Sequence, residues 1–160
     1  MYVRTAYADE IDAIARVWYD AWQDGHAKVV PAELAADRTE ESFRSRLQAM
    51  LPDTRVIGPR GAPLGFCTIK ADELYQLFVA ANARGSGAAS LLLADGESRL
   101  AANGVEIAWL ACAIGNDRAA RFYEKCGWRL ARVFTSHLDT ANGAFDLDVW
   151  RYEKQLKRGS

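Results

Sequence analysis

Apolar residues recur along the first third of the chain at the spacing of an amphipathic helix. The pattern predicts a short strand over residues 2–7 and a helix from about Asp9, which is suited to the N-cap, to Gly25. The apolar positions of this helix are Ile11, Ile14, Trp18 and Trp22. A second, more polar helical region is predicted over residues 32–50. Its sparse apolar positions are Leu34, Phe43, Leu47 and Met50.

Short strands punctuated by Gly and Pro are predicted after Pro52. Three of them occupy Arg55–Gly58, Leu64–Ala71 and Leu74–Val79. A helix is then predicted over residues 87–102, because its apolar residues fall on one stripe. That stripe consists of Leu92, Leu93, Gly96 and Leu100.

The last third of the chain predicts a buried strand, a short helix and a hairpin. Val105–Ala113 lacks polar alternation, which predicts a strand buried on both faces. Asn116–Cys126 is predicted to be a helix that Asn116 caps and Gly127 closes. An Asn-Gly pair at residues 142–143 then predicts a hairpin between two strand-like segments, Trp128–Phe134 and Phe145–Tyr152. The order of elements indicates a mixed α/β or α+β domain with a largely antiparallel sheet.

The charge of the chain limits its partners. The net charge of the 160 residues is −1, from 20 Lys and Arg against 21 Asp and Glu. Such a chain has no overall field for nucleic acid or an anionic membrane, so any anion site must be local. The three cysteines form no C-x-x-C pair, and no apolar run approaches the ~20 residues of a membrane span. These features predict a soluble cytoplasmic protein without a metal site, a nucleic-acid partner or a membrane partner.

The segment Arg84-Gly85-Ser86-Gly87-Ala88-Ala89 joins a predicted strand to a predicted helix. Glycine allows positive φ and close backbone approach, and the first amides of a helix lack partners at the positive end of its dipole. Such a turn takes phosphate, and no acidic residue lies between Ala80 and Ala94 to oppose an anion. The segment is neither a P-loop nor a dinucleotide fingerprint. Taken alone, it fits both an anion site and a tight turn that serves packing.

A second segment, Asn116–Trp128, carries the pattern N-x-x-A-x-x-F-Y-x-x-x-G-W. By itself it fits a capped amphipathic helix whose aromatic residues belong to the core. Together with R-x-x-G-x-A at Arg84–Ala89, it resembles the GNAT superfamily of acetyl-CoA-dependent N-acetyltransferases, over residues 64–134. The resemblance implies one N-acetyltransferase domain over residues 1–155, followed by a tail at residues 156–160. It also implies a mixed, largely antiparallel twisted sheet with helices on both faces and a splayed central strand pair.

The resemblance further implies that acetyl-CoA is the co-substrate. Its pyrophosphate would be held by Arg84, Gly85, Ser86, Gly87, Ala88 and Ala89. Its pantetheine arm would pair with the backbone of Leu77, Phe78 and Val79, and one of these amides would polarise the thioester carbonyl. The side chain of Asn116 would meet the same arm.

Two residues match catalytic positions of the family. Tyr123 matches a tyrosine that protonates the departing thiolate, and the other interpretation of this residue is core packing. Glu73 matches a glutamate that serves as general base, and Asp72 beside it favours a raised pKa if both are buried. A solvated acidic turn is the other interpretation of Glu73. Other bases stay open, namely Asp148, His137 and Glu33.

The hypothesis is an enzyme that transfers acetyl from acetyl-CoA to a primary amine by direct attack in a ternary complex. The acceptor would be a small-molecule amine or a peptide amine, and a homodimer is one expected assembly. The alternative is a non-catalytic acyl-CoA-binding module or sensor, which needs Arg84–Ala89 and Asn116 but no base. Transfer to a hydroxyl, or of a longer acyl group, also stays open. Cys112 is expected to be an inert core thiol, and His26 is not expected to bind metal.

Overall fold

A computed structural model describes residues 1–157 and contains seven strands and five helices within them. The strands are β1 (Val3–Thr5), β2 (Thr54–Ile57), β3 (Gly65–Lys70), β4 (Glu73–Val79), β5 (Ile107–Ala113), β6 (Arg129–Thr140) and β7 (Gly143–Gln155). The helices are α1 (Ile11–Gly25), α2 (Ala32–Asp37), α3 (Glu40–Met50), α4 (Ala88–Ala102) and α5 (Asp117–Lys125). No helix within residues 1–157 is both long enough and apolar enough to cross a membrane.

All seven strands form one sheet in the order β1-β2-β3-β4-β5-β7-β6. Every neighbouring pair is antiparallel except β4 and β5, which are parallel. These two central strands share only the pair Glu73 and Trp109, so they separate beyond that point. β4 also carries an irregularity opposite Thr68 and Ile69 of β3. The predicted mixed sheet with a splayed central pair is confirmed.

Helices cover both faces of the sheet. On one face, α1 and α3 enclose an aromatic core in which the Trp18 indole stacks on Phe43, with ring centroids 4.2 Å apart. On the other face, α4 packs its predicted stripe, including buried Leu92 and Leu100, against β3 and β4. Gly96 lets α4 approach closely, because a Cβ at this position would lie 2.9 Å from the Leu74 side chain.

The start of the first helix differs from the prediction, because Asp9 is not its N-cap. A 3-10 turn at Ala8–Glu10 precedes α1, and Glu10 is the residue that organises it. The buried Glu10 carboxylate accepts two hydrogen bonds from the Arg4 guanidinium, at 2.9 and 2.8 Å. It also accepts from the backbone amides of Tyr7 and Gly61, each at 3.0 Å. One carboxylate therefore joins the first strand, the first helix and the loop after β2.

Two other predicted elements are corrected. The helical region over residues 32–50 divides into α2 and α3, because the Thr39 side chain accepts from the Ser42 amide and starts a new helix. The strand predicted to be buried on both faces is buried on one only, since Ile107 is 50% exposed and Ala111 is also exposed. Its other face carries Ala108, Leu110 and Cys112 into the core. Buried and exposed residues alternate along this strand, but the exposed face also carries apolar residues, so the alternation is not visible in the sequence.

The last two elements follow the prediction closely. Asn116 caps α5, and Gly127 closes it with a φ of +92°. The Gly127 and Trp128 amides donate to the carbonyls of Glu124 and Tyr123, which is the Schellman arrangement. β6 and β7 then form the predicted hairpin around residues 141–142, and both strands are longer than predicted.

The end of the chain is tied to the sheet as far as the structure describes it. The Leu156 amide donates to the Glu106 carbonyl at 2.8 Å, and Leu156 packs against the core. The predicted tail at residues 156–160 lies partly outside the described residues, which end at residue 157.

Candidate active site

A cavity of about 460 Å³, here the narrow cavity, opens where β4 and β5 separate. Residues 74–79 of β4 form one wall, and residues 110–112 of β5 form the other. The start of α4, the helix α5 and the end of α1 complete it. The structure thus brings most of the predicted cofactor residues to one cavity: Leu77, Phe78, Val79, Arg84, Gly85, Gly87, Ala88, Ala89, Asn116 and Tyr123.

The glycine turn presents backbone to this cavity. Gly85 and Gly87 both adopt the left-handed region, with φ of +77° and +89°, and α4 begins at Ala88. A Cβ built on either glycine would meet no atom within 4 Å, so the space next to the turn is open to a ligand. Ser86 does not line the cavity, because its hydroxyl donates to the Ala83 carbonyl and accepts from the Ala88 amide. The turn matches the geometry of an anion site at a helix N-terminus.

The charge beside the turn is more balanced than the local sequence suggests. The Arg84 guanidinium donates to the Asp24 carboxylate at 3.1 Å, so a residue of α1 supplies the acidic partner that residues 80–94 lack. A long-range contact of this kind has no signal in the local sequence. The structure adds a second cation, because the exposed Arg118 also lines the narrow cavity.

Asn116 is held between two helices. Its Oδ1 atom accepts from the Ala119 amide at 3.4 Å, which caps α5. A Cβ on Gly25 at the end of α1 would lie 3.2 Å from its Nδ2 atom, so a larger residue there would crowd the Asn116 side chain. The cap fixes the side chain and leaves the amide group to donate to a ligand.

Tyr123 lines the narrow cavity and lies in an aromatic environment. Its ring centroid is 5.4 Å from that of Phe122 and 6.4 Å from those of Trp128 and Tyr152. Burial raises the pKa of the Tyr123 hydroxyl well above its ordinary value of ~10. The phenol therefore keeps its proton throughout the neutral range.

A second cavity of about 1120 Å³, here the wide cavity, lies on the α3 face of the sheet. Its walls are α3, the start of β4, Trp109 of β5 and residues 136–140 of β6. Glu73 lines this cavity and does not line the narrow one. Tyr75 lines both, which places it at the junction of the two cavities.

Glu73 carries a shifted pKa. The pKa of this carboxyl is raised to about 7, chiefly by burial; the charge of Lys70 lowers it, that of Asp72 raises it and that of Arg151 lowers it. Asp72 itself is exposed and accepts from the Trp109 indole at 3.0 Å. The structure thus agrees with the direction predicted from sequence, with burial as the larger cause. A carboxylate with a pKa near 7 suits a general base at neutral pH.

The other candidate bases lie in different places. Asp148 is exposed on the hairpin and accepts from the Thr135 hydroxyl at 2.7 Å. His137 lines the rim of the wide cavity, where its imidazole pairs with Asp146. Glu33 is exposed on α2 and lines neither cavity.

His26 lines the narrow cavity, which sequence reasoning did not anticipate. Its ring stacks on Trp22 at 5.7 Å and lies 5.6 Å from the Phe78 ring, and its Nδ1 atom is buried without a hydrogen-bond partner. Burial lowers the pKa of His26 to about 4, so the ring is neutral at pH 7. Its position directly after the glycine that ends α1 was the only signal in the sequence. Cys112 also lines this cavity, and burial raises the pKa of its thiol to about 12.

Sequence comparison identifies the family. The acetyltransferase (GNAT) family model matches residues 11–128, which is more than half of the chain. The chain therefore belongs to the GNAT family of acetyltransferases, and the resemblance on Arg84–Ala89 and Asn116–Trp128 is confirmed. Among curated protein sequences, none matches the chain significantly.

Solved structures share the fold along almost the whole chain. A GCN5-related N-acetyltransferase from Rhodopseudomonas palustris is 21% identical, with a TM-score of 0.75, over 96% of this chain and 94% of that one. An N-acetyltransferase from Staphylococcus aureus Mu50 is 22% identical, with a TM-score of 0.71, over 97% and 98%. The PaiA N-acetyltransferase from Thermoplasma acidophilum, solved in complex with coenzyme A, is 18% identical, with a TM-score of 0.67, over 96% and 97%.

Proposed function

We propose that residues 1–155 form a single N-acetyltransferase domain that moves an acetyl group from acetyl-CoA to a primary amine. The observation that carries this proposal is the narrow cavity, which gathers both family motifs and the open edge of β4 at the point where β4 and β5 separate. The coenzyme A in the related PaiA structure supports the choice of donor. The acceptor is a small-molecule or peptide amine.

The residues present fit acetyl-CoA. The open turn at Gly85 and Gly87 offers backbone amides and the positive end of α4 to the pyrophosphate, and Arg84 and Arg118 add charge at the cavity mouth. On the side that faces β5, the backbone of Leu77–Val79 in β4 has no strand paired with it. This edge can therefore pair with an extended pantetheine arm. One of these amides can also donate to the thioester oxygen as negative charge develops there.

The chemistry needs a base and an acid on either side of the thioester. An amine is protonated near pH 7, so Glu73 accepts a proton from it, directly or through water. The amine nitrogen then forms a bond with the acetyl carbon while the carbon–sulfur bond breaks. Tyr123 gives its proton to the departing thiolate, and the second proton of the attacking nitrogen returns to the Tyr123 phenolate, so the products are a neutral amide and coenzyme A. Glu73 in the wide cavity and Tyr123 in the narrow cavity flank the junction at Tyr75.

Two measurements test the proposal. Isothermal titration should show acetyl-CoA binding, and no binding at millimolar ligand would reject it. Tyr123→Phe should lower kcat about 100-fold and leave acetyl-CoA affinity within about twofold, because it removes a proton donor and not a contact surface. Tyr152→Phe is the matched control, since that hydroxyl donates to Glu124 at 2.8 Å outside the narrow cavity. Acetyl-CoA binding without thiol release over a broad amine panel would favour the non-catalytic binding module instead.

A further inference from the structure

Arg46 on α3 lines the wide cavity. Among residues 1–157 no carboxylate forms an ion pair with its half-buried guanidinium, whereas Arg44 on the same helix pairs with Glu40 at 3.2 Å. The guanidinium instead lies over the Trp18 ring, 4.6 Å from its centroid. One of its N–H groups donates to the Tyr75 hydroxyl at 3.2 Å. A guanidinium has five N–H donors, so this one has donors to spare toward the cavity.

The surroundings of Arg46 hold it in place and add positive charge. Arg38 is buried nearby, where its own carboxylate partner is Asp37 and its Nη1 atom donates to the Asp139 carbonyl at 2.7 Å. Arg38 and Arg46 both line the wide cavity, and burial together with the charge of Arg46 lowers the pKa of Arg38. The Lys70 ammonium is 5.0 Å from the Tyr75 ring centroid. Three cations, Arg38, Arg46 and Lys70, therefore line the wide cavity.

Glu73 supplies the opposite charge in the same cavity. It precedes Tyr75 by two residues on β4, and both side chains line the wide cavity. Four other carboxylates line the wide cavity: Asp37 pairs with Arg38, and Glu41, Asp53 and Asp139 lie at exposed positions on its rim. Water screens these rim charges, whereas Glu73 and Arg46 are both half-buried. Apart from the Arg38–Asp37 pair, the half-buried charged groups of the wide cavity are thus one anion, Glu73, and one cation, Arg46, both beside Tyr75.

We propose that the acceptor is a small amino carboxylate, whose carboxylate binds Arg46 and the Tyr75 hydroxyl while its amine faces Glu73. The inference rests on the proposed acetyl transfer and names the acceptor class of that site. Arginine suits a carboxylate because its planar N–H pairs match the two oxygens, and the tyrosine hydroxyl can donate a third bond. An amine without a carboxylate would leave the Arg46 donors unpaired.

The experiment compares acceptors that differ only in the carboxylate, as free amino acids and their α-carboxamides, with thiol release as the measurement. The enzyme should prefer the amino acid about 10- to 100-fold in kcat/KM, as expected for a charge-assisted contact. In Arg46→Met the preference should fall to about 1, mainly through a higher KM for the amino acid. Arg44→Met should keep the preference of the parent, since Arg44 does not line the wide cavity.

Tyr75→Phe serves as the second variant, because Arg46 also packs on Trp18 and its replacement could affect folding. Loss of the hydroxyl should reduce the preference several-fold. Equal use of amino acids and carboxamides by the parent, or an undiminished preference in Arg46→Met or Tyr75→Phe, would overturn the inference while acetyl transfer to amines stood. Absence of thiol release with every amine would reject the acetyl transfer itself.

Discussion

The raised pKa of Glu73 predicts how turnover depends on pH. The carboxylate acts as a base only after losing its proton, so activity is lost as the pH falls through its pKa of about 7. About 9% of such a group is deprotonated at pH 6 and about 91% at pH 8, which gives a rise of about tenfold in kcat. A glutamate with an ordinary pKa of ~4.3 is almost fully deprotonated at both values and gives a flat profile.

The assay is kcat at saturating acceptor, from pH 5.5 to 8.5, because titration of the free amine does not enter kcat. Glu73→Gln should lower kcat at pH 8 about 100-fold and abolish the acidic limb of the profile. Two charge variants shift that limb in opposite directions. Asp72→Asn should move it to lower pH and Lys70→Met to higher pH, because Asp72 raises the pKa of Glu73 and Lys70 lowers it.

Three results would refute this reasoning. A flat parent profile between pH 6 and 8 would show that Glu73 does not titrate near 7. A limb that persists in Glu73→Gln would assign it to another group. Movement of the limb in the same direction in Asp72→Asn and Lys70→Met would show that their charges do not act on the group that titrates.

Other predictions concern stability and donor binding. Glu10→Gln should lower the free energy of unfolding by about 3 kcal/mol in urea, because it breaks a buried ion pair with Arg4. Parent stability should fall as pH drops from about 5 to about 2, since the pKa of Glu10 is lowered to about 2. Gly96→Ala should cost about 1–3 kcal/mol in thermal melts, because its Cβ would lie 2.9 Å from the buried Leu74 side chain. Asp24→Asn should tighten acetyl-CoA binding about two- to fivefold by calorimetry, because it releases Arg84 from its ion pair. An unchanged affinity would show that Arg84 does not contact the phosphates of acetyl-CoA.

The sequence predicts those parts of the fold that depend on local signals. Gly127 closes α5 as predicted, because a left-handed residue is required there and glycine meets the requirement. Residues 142–143 mark the hairpin for a similar reason. The glycine turn at residues 84–89 also lies where the motif places it, at the start of α4 and in the wall of a cavity.

Contacts between distant segments account for what the sequence could not predict. Asp24 pairs with Arg84 across 60 residues, and neither has a neighbour in sequence that indicates the pair. Glu10 rather than Asp9 organises the start of α1, because only folding brings Arg4 and Gly61 to one carboxylate. The N–H groups of Arg46 that donate to no carboxylate within residues 1–157 are a third example. They can be recognised only once the neighbours of Arg46 in the structure are known.

The separation of β4 and β5 also divides the sheet mechanically. Strands β1 to β4 form one antiparallel ladder and β5 to β7 form another, and the two ladders meet in register only at Glu73 and Trp109. An extended donor molecule lying along Leu77–Val79 would act as an eighth strand that bridges these ladders. Binding of the first substrate would then stiffen the frame on which Glu73 and the cavity for the second substrate are built, so the two substrates would be energetically linked through the sheet itself.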